Sequence, residues 1–409
     1  ARDGFLDMLV RTAEEIVTTI LALDHEWEHI VANAIFLCGF AGLLAITVKL
    51  IRYRSQHVSR LDASLRAGRR GKWFARITFP FRELARQYAH FGAIEEAMLR
   101  AVESIEPDIV HCHDLSSLPA GVKHKRRSSC VLVYDSHEIF EEAAGLTRFQ
   151  RKFYRIQQRR YTPHVDHFIT INESIGDFLT KRYPKLPDPV IVMNACLPAL
   201  ERPEYDGRLH DAAGLERSAR ILLYQGGFSP HRGLPQLVRA ASLLPEEWTL
   251  VMMGWGRLEP KLREIATSVD PEGKRVRFIP GAPQSELVLW TQGAAAGVIP
   301  YENVCLNHWF CTPNKLWEYP NAGVPILASP FPELERVVVG EGVGWLLGDP
   351  ITPEGIAAAV ARIDDDELAA KRSACRRFIA RSNWRIFETR LVDLYRSAAR
   401  QRNSVPAVA

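Results

Sequence analysis

The sequence predicts an α/β protein of two Rossmann-like domains preceded by an N-terminal hydrophobic helix of membrane-spanning character. Three observations predict it: a length of 409 residues, two series of alternating strand-like and helix-like segments, and one long uncharged run near the start. Domains average roughly 100–200 residues, so a chain of this length exceeds one ordinary core. A hydrophobic fraction of 47% beside 24% charged residues excludes a disordered chain. The formal net charge of +4 is too small to argue for nucleic acid by itself.

The uncharged run is IVANAIFLCGFAGLLAITV, residues 30–48. It is close to the roughly 20 residues that cross a bilayer as a helix. It follows the acidic DHEWEH and has no small-residue cleavage site, so it is not a signal peptide. The alternative is a buried core helix of the first domain. Behind it, Lys49, Arg52, Arg54, Arg60, Arg66, Arg69, Arg70, Lys72, Arg76, Arg82 and Arg86 are opposed only by Asp62 and Glu83. Cations on that side place the bulk of the chain in the cytosol, at the cytoplasmic membrane. Trp73, Phe74, Phe79 and Phe81 suit an anionic leaflet. Nucleic acid is the competing use of such a patch, but no recognised motif accompanies it, so a membrane and no nucleic acid is the expectation.

The expected organisation is an N-terminal segment over 1–80, a first Rossmann-like domain over 81–200, a second over 201–380, and a C-terminal helix and tail over 381–409. In the first series, DIVHCHD after Pro107, CVLVYDSH (130–137), HFITI (167–171) and VIVMN (190–194) read as strands. Helices over Arg148 to Tyr161 and Glu173 to Arg182 separate them. The polar, Pro-containing stretch Ala195 to Arg217 reads as a domain linker. In the second series the strands are ILLYQGG (221–227), WTLVMMG (248–254), VRFIP (276–280), AAGVIPY (295–301) and VPILAS (324–329), with helices between them, one over Asn314 to Ala322. From Pro353 onward the chain reads as helical, with a last helix, near Trp384 to Arg400, that is free to cross back to the first domain. Alternation of this kind means parallel sheets whose ligands sit beyond the C-terminal strand ends.

Seven cysteines, at 38, 112, 130, 196, 305, 311 and 375, form neither a paired framework nor a zinc pattern, and read as reduced thiols. The run Asp364, Asp365, Asp366 formally satisfies an Asp-x-Asp metal motif. It falls between helices and not after a strand, so a helix N-terminus explains it.

The chemistry is expected where strands end. In YQGGFSPHRG, Gly226 and Gly227 let the backbone approach an anion, and Arg232, at the start of the next helix, adds a fixed positive charge suited to a diphosphate. Gly254 closes the neighbouring strand in the same way. A purely structural turn is the competing reading of these glycines. In Asn314, Lys315, Leu316, Trp317, Glu318, Pro313 suits the first helical turn, Lys315 can neutralise phosphate, and Glu318 can accept hydrogen bonds from two ribose hydroxyls. In the first domain, His111, His113 and Asp114 end one strand, and Asp135, His137 and Glu138 end the next. Polar groups lining a sugar site are the better reading; His-x-His with carboxylates also offers metal ligands, with no geometry fixed.

With these residues in view, the chain resembles family 4 of the glycosyltransferases, the retaining group with the two-domain GT-B fold ("glycosyltransferase group 1" type), over about Pro107 to Arg400. The phrases that carry the resemblance, in order, are PDIVHCHDLSSLPAG, VLVYDSHEIFEE, ITINES, YQGGFSPHRGL and TPNKLWEYPNAGVPILAS. The resemblance implies a nucleotide-sugar donor, UDP- or GDP-linked, taken as substrate with no cofactor and no metal, and transfer with retention. It implies that Asn314, Lys315, Leu316 and Glu318 bind the diphosphate and ribose, and that the turn from Gly226 to Arg232 also faces the phosphates. It also places His137 beside the transferred sugar, with His113 and Glu318 as further catalytic candidates. Two positions depart: Gly227 stands where many members have Arg, and Phe310 where the first Glu of a Glu, seven residues, Glu pattern would fall. The glycine-rich first strand is also missing, and only IVTTILALD (16–24) resembles an early strand.

The leading expectation is therefore a membrane-anchored transferase acting on a lipid-linked or envelope glycan. Two alternatives stand beside it: a sugar-nucleotide epimerase or phosphorylase on the same fold, and a non-catalytic membrane adaptor with a degenerate fold.

Overall fold

The computed structural model describes residues 91–199 and 204–404. The apolar run 30–48, the basic stretch behind it and the early strand 16–24 lie outside the described residues. Among the described residues no helix is long and apolar enough to cross a membrane. The chain divides into two compact units. One runs to Thr170 and adds Gly176–Val190 and Val392 onward; the other holds Ile171–Ile175 and Ile191–Leu391.

The first unit carries a four-stranded sheet in the order β1 (Ile109–His113), β2 (Val131–Ser136), β3 (His167–Thr170), β4 (Pro189–Ile191). The first three strands are parallel. Every residue of β2 is buried, which is why VLVY shows no alternation: a central strand of a parallel sheet is covered on both faces. The described part of helix α1 spans 91–103, followed by α2 (Asp114–Lys125), α3 (Arg148–Tyr161) and α4 (Glu173–Arg182). Helix α3 opens on a capping box in which Thr147 Oγ1 accepts from the Gln150 N–H at 3.2 Å.

The second unit carries six strands in the order β10-β9-β8-β5-β6-β7, every pairing parallel. These are β5 (Arg220–Gly227), β6 (Trp248–Trp255), β7 (Val276–Ile279), β8 (Ala296–Ile299), β9 (Ile326–Ala328) and β10 (Gly344–Leu346). Alternate residues of β5 enter different cores: Ile221 and Leu223 pack in one, Leu222 and Tyr224 in the other. This is the period of two that a strand buried on both faces requires. The helices are α5 (Arg208–Ala213), α6 (Leu234–Ala240), α7 (Glu259–Val269), α8 (Leu287–Thr291), α9 (Leu306–Trp309), α10 (Lys315–Asn321), α11 (Pro332–Val338), α12 (Pro353–Ala361), α13 (Asp365–Arg381) and α14 (Trp384–Ser404).

One expectation needs correction. The stretch read as a linker contains α5, whose Leu209 and Ala213 are buried in the second unit's core. Helix α14 begins in the second unit, and from Val392 its residues cluster with the first. The acidic run is a helix start, as its position suggested, with Asp364 Oδ1 accepting from the Glu367 N–H at 2.7 Å.

Candidate active site

In the second unit the glycines stand where β5 and β6 end side by side, Gly226 opposite Gly254. A Cβ on Gly254 would lie 2.0 Å from the Gly226 carbonyl oxygen. Gly226 has φ +109, and a Cβ there would meet Lys315 Nζ at 3.0 Å. These two positions need glycine, because the backbone and a lysine close on them. Gly227 is exposed at the strand end.

Arg232 lies in the turn before α6, whose first residue is Leu234 with Gly233 as N-cap, and not at the helix start. Its guanidinium carbon is 4.0 Å from the centroid of the Tyr301 ring. Lys315 Nζ is 6.0 Å from the same ring and 5.2 Å from that of Tyr224. The face of a ring attracts a cation without using its N–H donors. Among the described residues neither cation has a carboxylate partner, so both keep donors for an anion beside Gly226.

Helix α10 supplies the other half. Asn314 is its exposed N-cap and makes no side-chain cap bond. Pro313 precedes that cap, outside the helix, and its carbonyl accepts from the Leu316 N–H at 2.9 Å. The Leu316 side chain is fully buried in the core with Trp317 and Tyr319, so it anchors the helix from below. Glu318 Oε2 accepts from Gln225 Nε2 at 2.9 Å, and Gln225 Oε1 in turn accepts from Thr291 Oγ1 at 2.8 Å. That chain orients the carboxylate. The Tyr319 hydroxyl donates to the Leu223 carbonyl at 2.9 Å and accepts from the Gln225 N–H at 3.2 Å, which ties α10 to β5. Glu318 and Asn321 line a cavity of about 540 Å³ with Cys196, Gln284 and Leu287, a volume within the range of small-molecule sites. Phe310 is half-buried, and its carbonyl accepts from Asn172 Nδ2 at 2.8 Å.

The first unit gathers a second cluster where β1 and β2 end, with His113 paired in register with Asp135. Asp135 Oδ2 lies 3.3 Å from His111 Nε2, 3.3 Å from His113 Nδ1 and 3.1 Å from His137 Nε2. The His137 N–H donates to Asp114 Oδ1 at 3.0 Å, and Asp114 holds a left-handed backbone with φ 54. The Tyr395 hydroxyl of α14 lies 2.5 Å from His111 Nδ1. Both of these bonds are satisfied when His111 is neutral and carries its proton on Nε2, the tautomer that donates to Asp135.

Burial pushes the His111 pKa down, which agrees with a neutral ring. Burial pushes the Asp135 carboxyl up, and hydrogen bonds from His111, His113 and His137 more than offset it, holding it well below the usual carboxylate value. The hydrogen bond to Asp135 raises His137 to about 9. Burial, with Asp114 nearby, raises Glu138 to about 7. The potential ligand atoms of His111, His113 and Asp135 lie within 4.8 Å of one another. The two rings are stacked, however, with centroids 4.3 Å apart and planes 17° apart. One oxygen of Asp135 already meets both rings, so the cluster offers hydrogen bonds to that carboxylate and potential ligand atoms alike.

The family models match in tandem: Glycosyltransferase Family 4 over residues 47–194, and Glycosyl transferases group 1 over residues 219–366. The chain belongs to family 4 of the glycosyltransferases. This transferase is 26% identical over 327 residues to the D-inositol 3-phosphate glycosyltransferase of Thermobispora bispora, covering 74% of each chain. It is 26% identical over 362 residues to the protein of that name from Thermomonospora curvata, covering 81% of this chain and 82% of the other. Among solved structures it is similar in fold to sucrose-phosphate synthase of Thermosynechococcus elongatus, with TM-score 0.62 and 20% identity over 76% of this chain and 78% of that one. HepE of Anabaena, in complex with UDP, gives TM-score 0.62 at 14% identity, over 74% and 82%. The transferase thus has a GT-B-like fold of two units with parallel sheets, and the adaptor alternative is set aside.

Of the expected residues, Gly226, Gly227, Gly254, Arg232, Asn314, Lys315, Leu316 and Glu318 all belong to the second unit, and His113 and His137 to the first. Sequence reasoning missed Tyr301, Gln225, Thr291 and Tyr395. Gln225 and Tyr301 were visible at strand ends, but nothing local in the sequence marks what they touch.

Proposed function

We propose that this transferase moves a sugar from a UDP- or GDP-linked donor, with retention and without a metal, to a lipid-linked or envelope glycan at the cytoplasmic face of a membrane. The observation that carries it is the pair of cations, Lys315 beside Gly226 and Arg232 on the Tyr301 ring that both approach. When the bond between the anomeric carbon and the diphosphate breaks, negative charge grows on the departing oxygen. Prepositioned N–H donors stabilise that charge without reorganising. Glu318 takes the ribose hydroxyls, with its carboxylate oriented by Gln225. His113 and His137 serve the hydroxyls of the transferred sugar, His137 as a protonated donor. The UDP complex of HepE supports a UDP-linked donor, and relatives named D-inositol 3-phosphate glycosyltransferases support a phosphorylated polyol as a second acceptor reading.

The test is transfer itself. Membranes bearing the full chain are incubated in chelator with radiolabelled UDP- and GDP-sugars, with either a lipid extract or inositol 3-phosphate as acceptor. Transfer from one donor, with the donor's anomeric configuration kept in the product, is the expected result. Activity that appears only when a divalent cation is restored, or an inverted product, would contradict the mechanism.

A further inference from the structure

Helix α3 has a face that the transfer reaction does not use. Its sequence, RFQRKFYRIQQRRY, contains Arg148, Arg151, Lys152, Arg155, Arg159 and Arg160 and no acidic residue. Phe153, Tyr154, Gln157, Gln158 and Tyr161 are buried, and Phe153 and Tyr154 pack edge-on against Phe91 and Phe140. At 3.6 residues per turn, the exposed positions fall on one outward arc of about 140°, with half-buried Arg151 just beyond its edge. Along that arc come Arg155, Arg148, Arg159, Lys152, Ile156, Phe149 and Arg160, all exposed. Phe149 is 43% and Ile156 48% exposed, and they share one stripe of the helix, two turns apart, among the cations.

Glu142 takes Arg151 at 2.5 Å and Arg155 at 3.4 Å. Among the described residues no carboxylate faces Arg148, Lys152 or Arg159. One edge of the face is thus tied to Glu142 through Arg151 and Arg155, and the rest presents bare positive charge beside two apolar side chains.

From this face we infer that α3 docks on the surface of an anionic lipid bilayer, with Phe149 and Ile156 entering the headgroup boundary and Arg148, Lys152 and Arg159 meeting lipid phosphates. Cations around exposed apolar residues are the composition of a helix that lies in a membrane interface. A polyanion such as RNA would use the cations, but Ile156 offers no ring for a base to stack on, and a hydrocarbon boundary uses both apolar residues. The docking does not depend on which donor or acceptor the site takes.

Hydrogen exchange of the peptide spanning α3, measured on the full chain, tests this locally, apart from any attachment through residues 1–90. The chain is mixed with phosphatidylcholine vesicles, or with vesicles in which about a third of the lipid is phosphatidylglycerol. The anionic vesicles are expected to slow exchange in α3, neutral vesicles to leave it unchanged, and high salt to reverse the effect. In the variant R148Q/K152Q/R159Q, the vesicle concentration giving half-protection rises about a hundredfold, roughly fivefold per cation. In F149S/I156S protection is lost although the cations remain. Both variants keep the wild-type exchange pattern elsewhere, which reports that they fold. Protection of α3 by neutral vesicles, no change with any vesicle while the chain floats with them, or protection by RNA that survives F149S/I156S would each overturn the docking.

Discussion

Asp135 shows how much of the first unit's chemistry can rest on one atom. Its Oδ2 lies within 3.3 Å of three imidazoles, and the hydrogen bond it shares with His137 raises that ring to about 9. Because the folded value lies above the ordinary one of about 6.5, the stability this pair supplies is complete below about pH 6.5 and is lost as pH rises through about 9. If the protonated ring serves the sugar, kcat should hold through neutral pH and fall near pH 9. Replacing Asp135 with Asn removes the charge, so in D135N the alkaline limb should move down toward about pH 6.5. A pH profile of kcat checks this, and a limb that stays where it is in D135N would mean that Asp135 only holds the rings in place.

At the scale of elements, the strands and long helices were legible because burial leaves a pattern. β5 reads as LLYQGG, α3 starts and stops where the sequence placed it, and the Asp364 cap follows from its position between helices. Two short elements were not read. Helix α5 has six residues in a polar stretch, and β10 is the three residues Gly344–Leu346, with no apolar run like the one that marks β9. Nor can periodicity reveal that α10 is held by one hydroxyl: Tyr319 bonds to β5 residues 94 and 96 positions away in the chain. The substitution Tyr319→Phe leaves the Leu223 carbonyl and the Gln225 N–H buried without that partner. It should cost about 1–3 kcal/mol of stability. It should also weaken donor binding, since the main-chain tie that positions Gln225 beside Glu318 is lost. Thermal melts with and without nucleotide measure both, and an unchanged melting temperature would show that α10 is held by its apolar packing alone.

For the whole molecule, the family and its two-unit fold were legible from motifs in order, while the residues that complete each site were not. Tyr301 and Tyr395 come from segments far from the residues they support: Tyr395 meets His111 across 284 positions. Gly227 and Phe310 were departures that argued for a weakened site. The structure offers an answer at the first: Arg232 and Lys315 share the Tyr301 platform beside the same turn, so charge is present without an arginine at position 227. The claim that most depends on this is that the second unit holds a nucleoside diphosphate through those two cations. Calorimetric titration of UDP and GDP into the full chain, in chelator, tests it most directly. One nucleotide should bind, and R232A and K315A should each weaken it about tenfold to a hundredfold, the worth of a hydrogen bond to a charged group. Unchanged affinity in both variants would contradict the assignment.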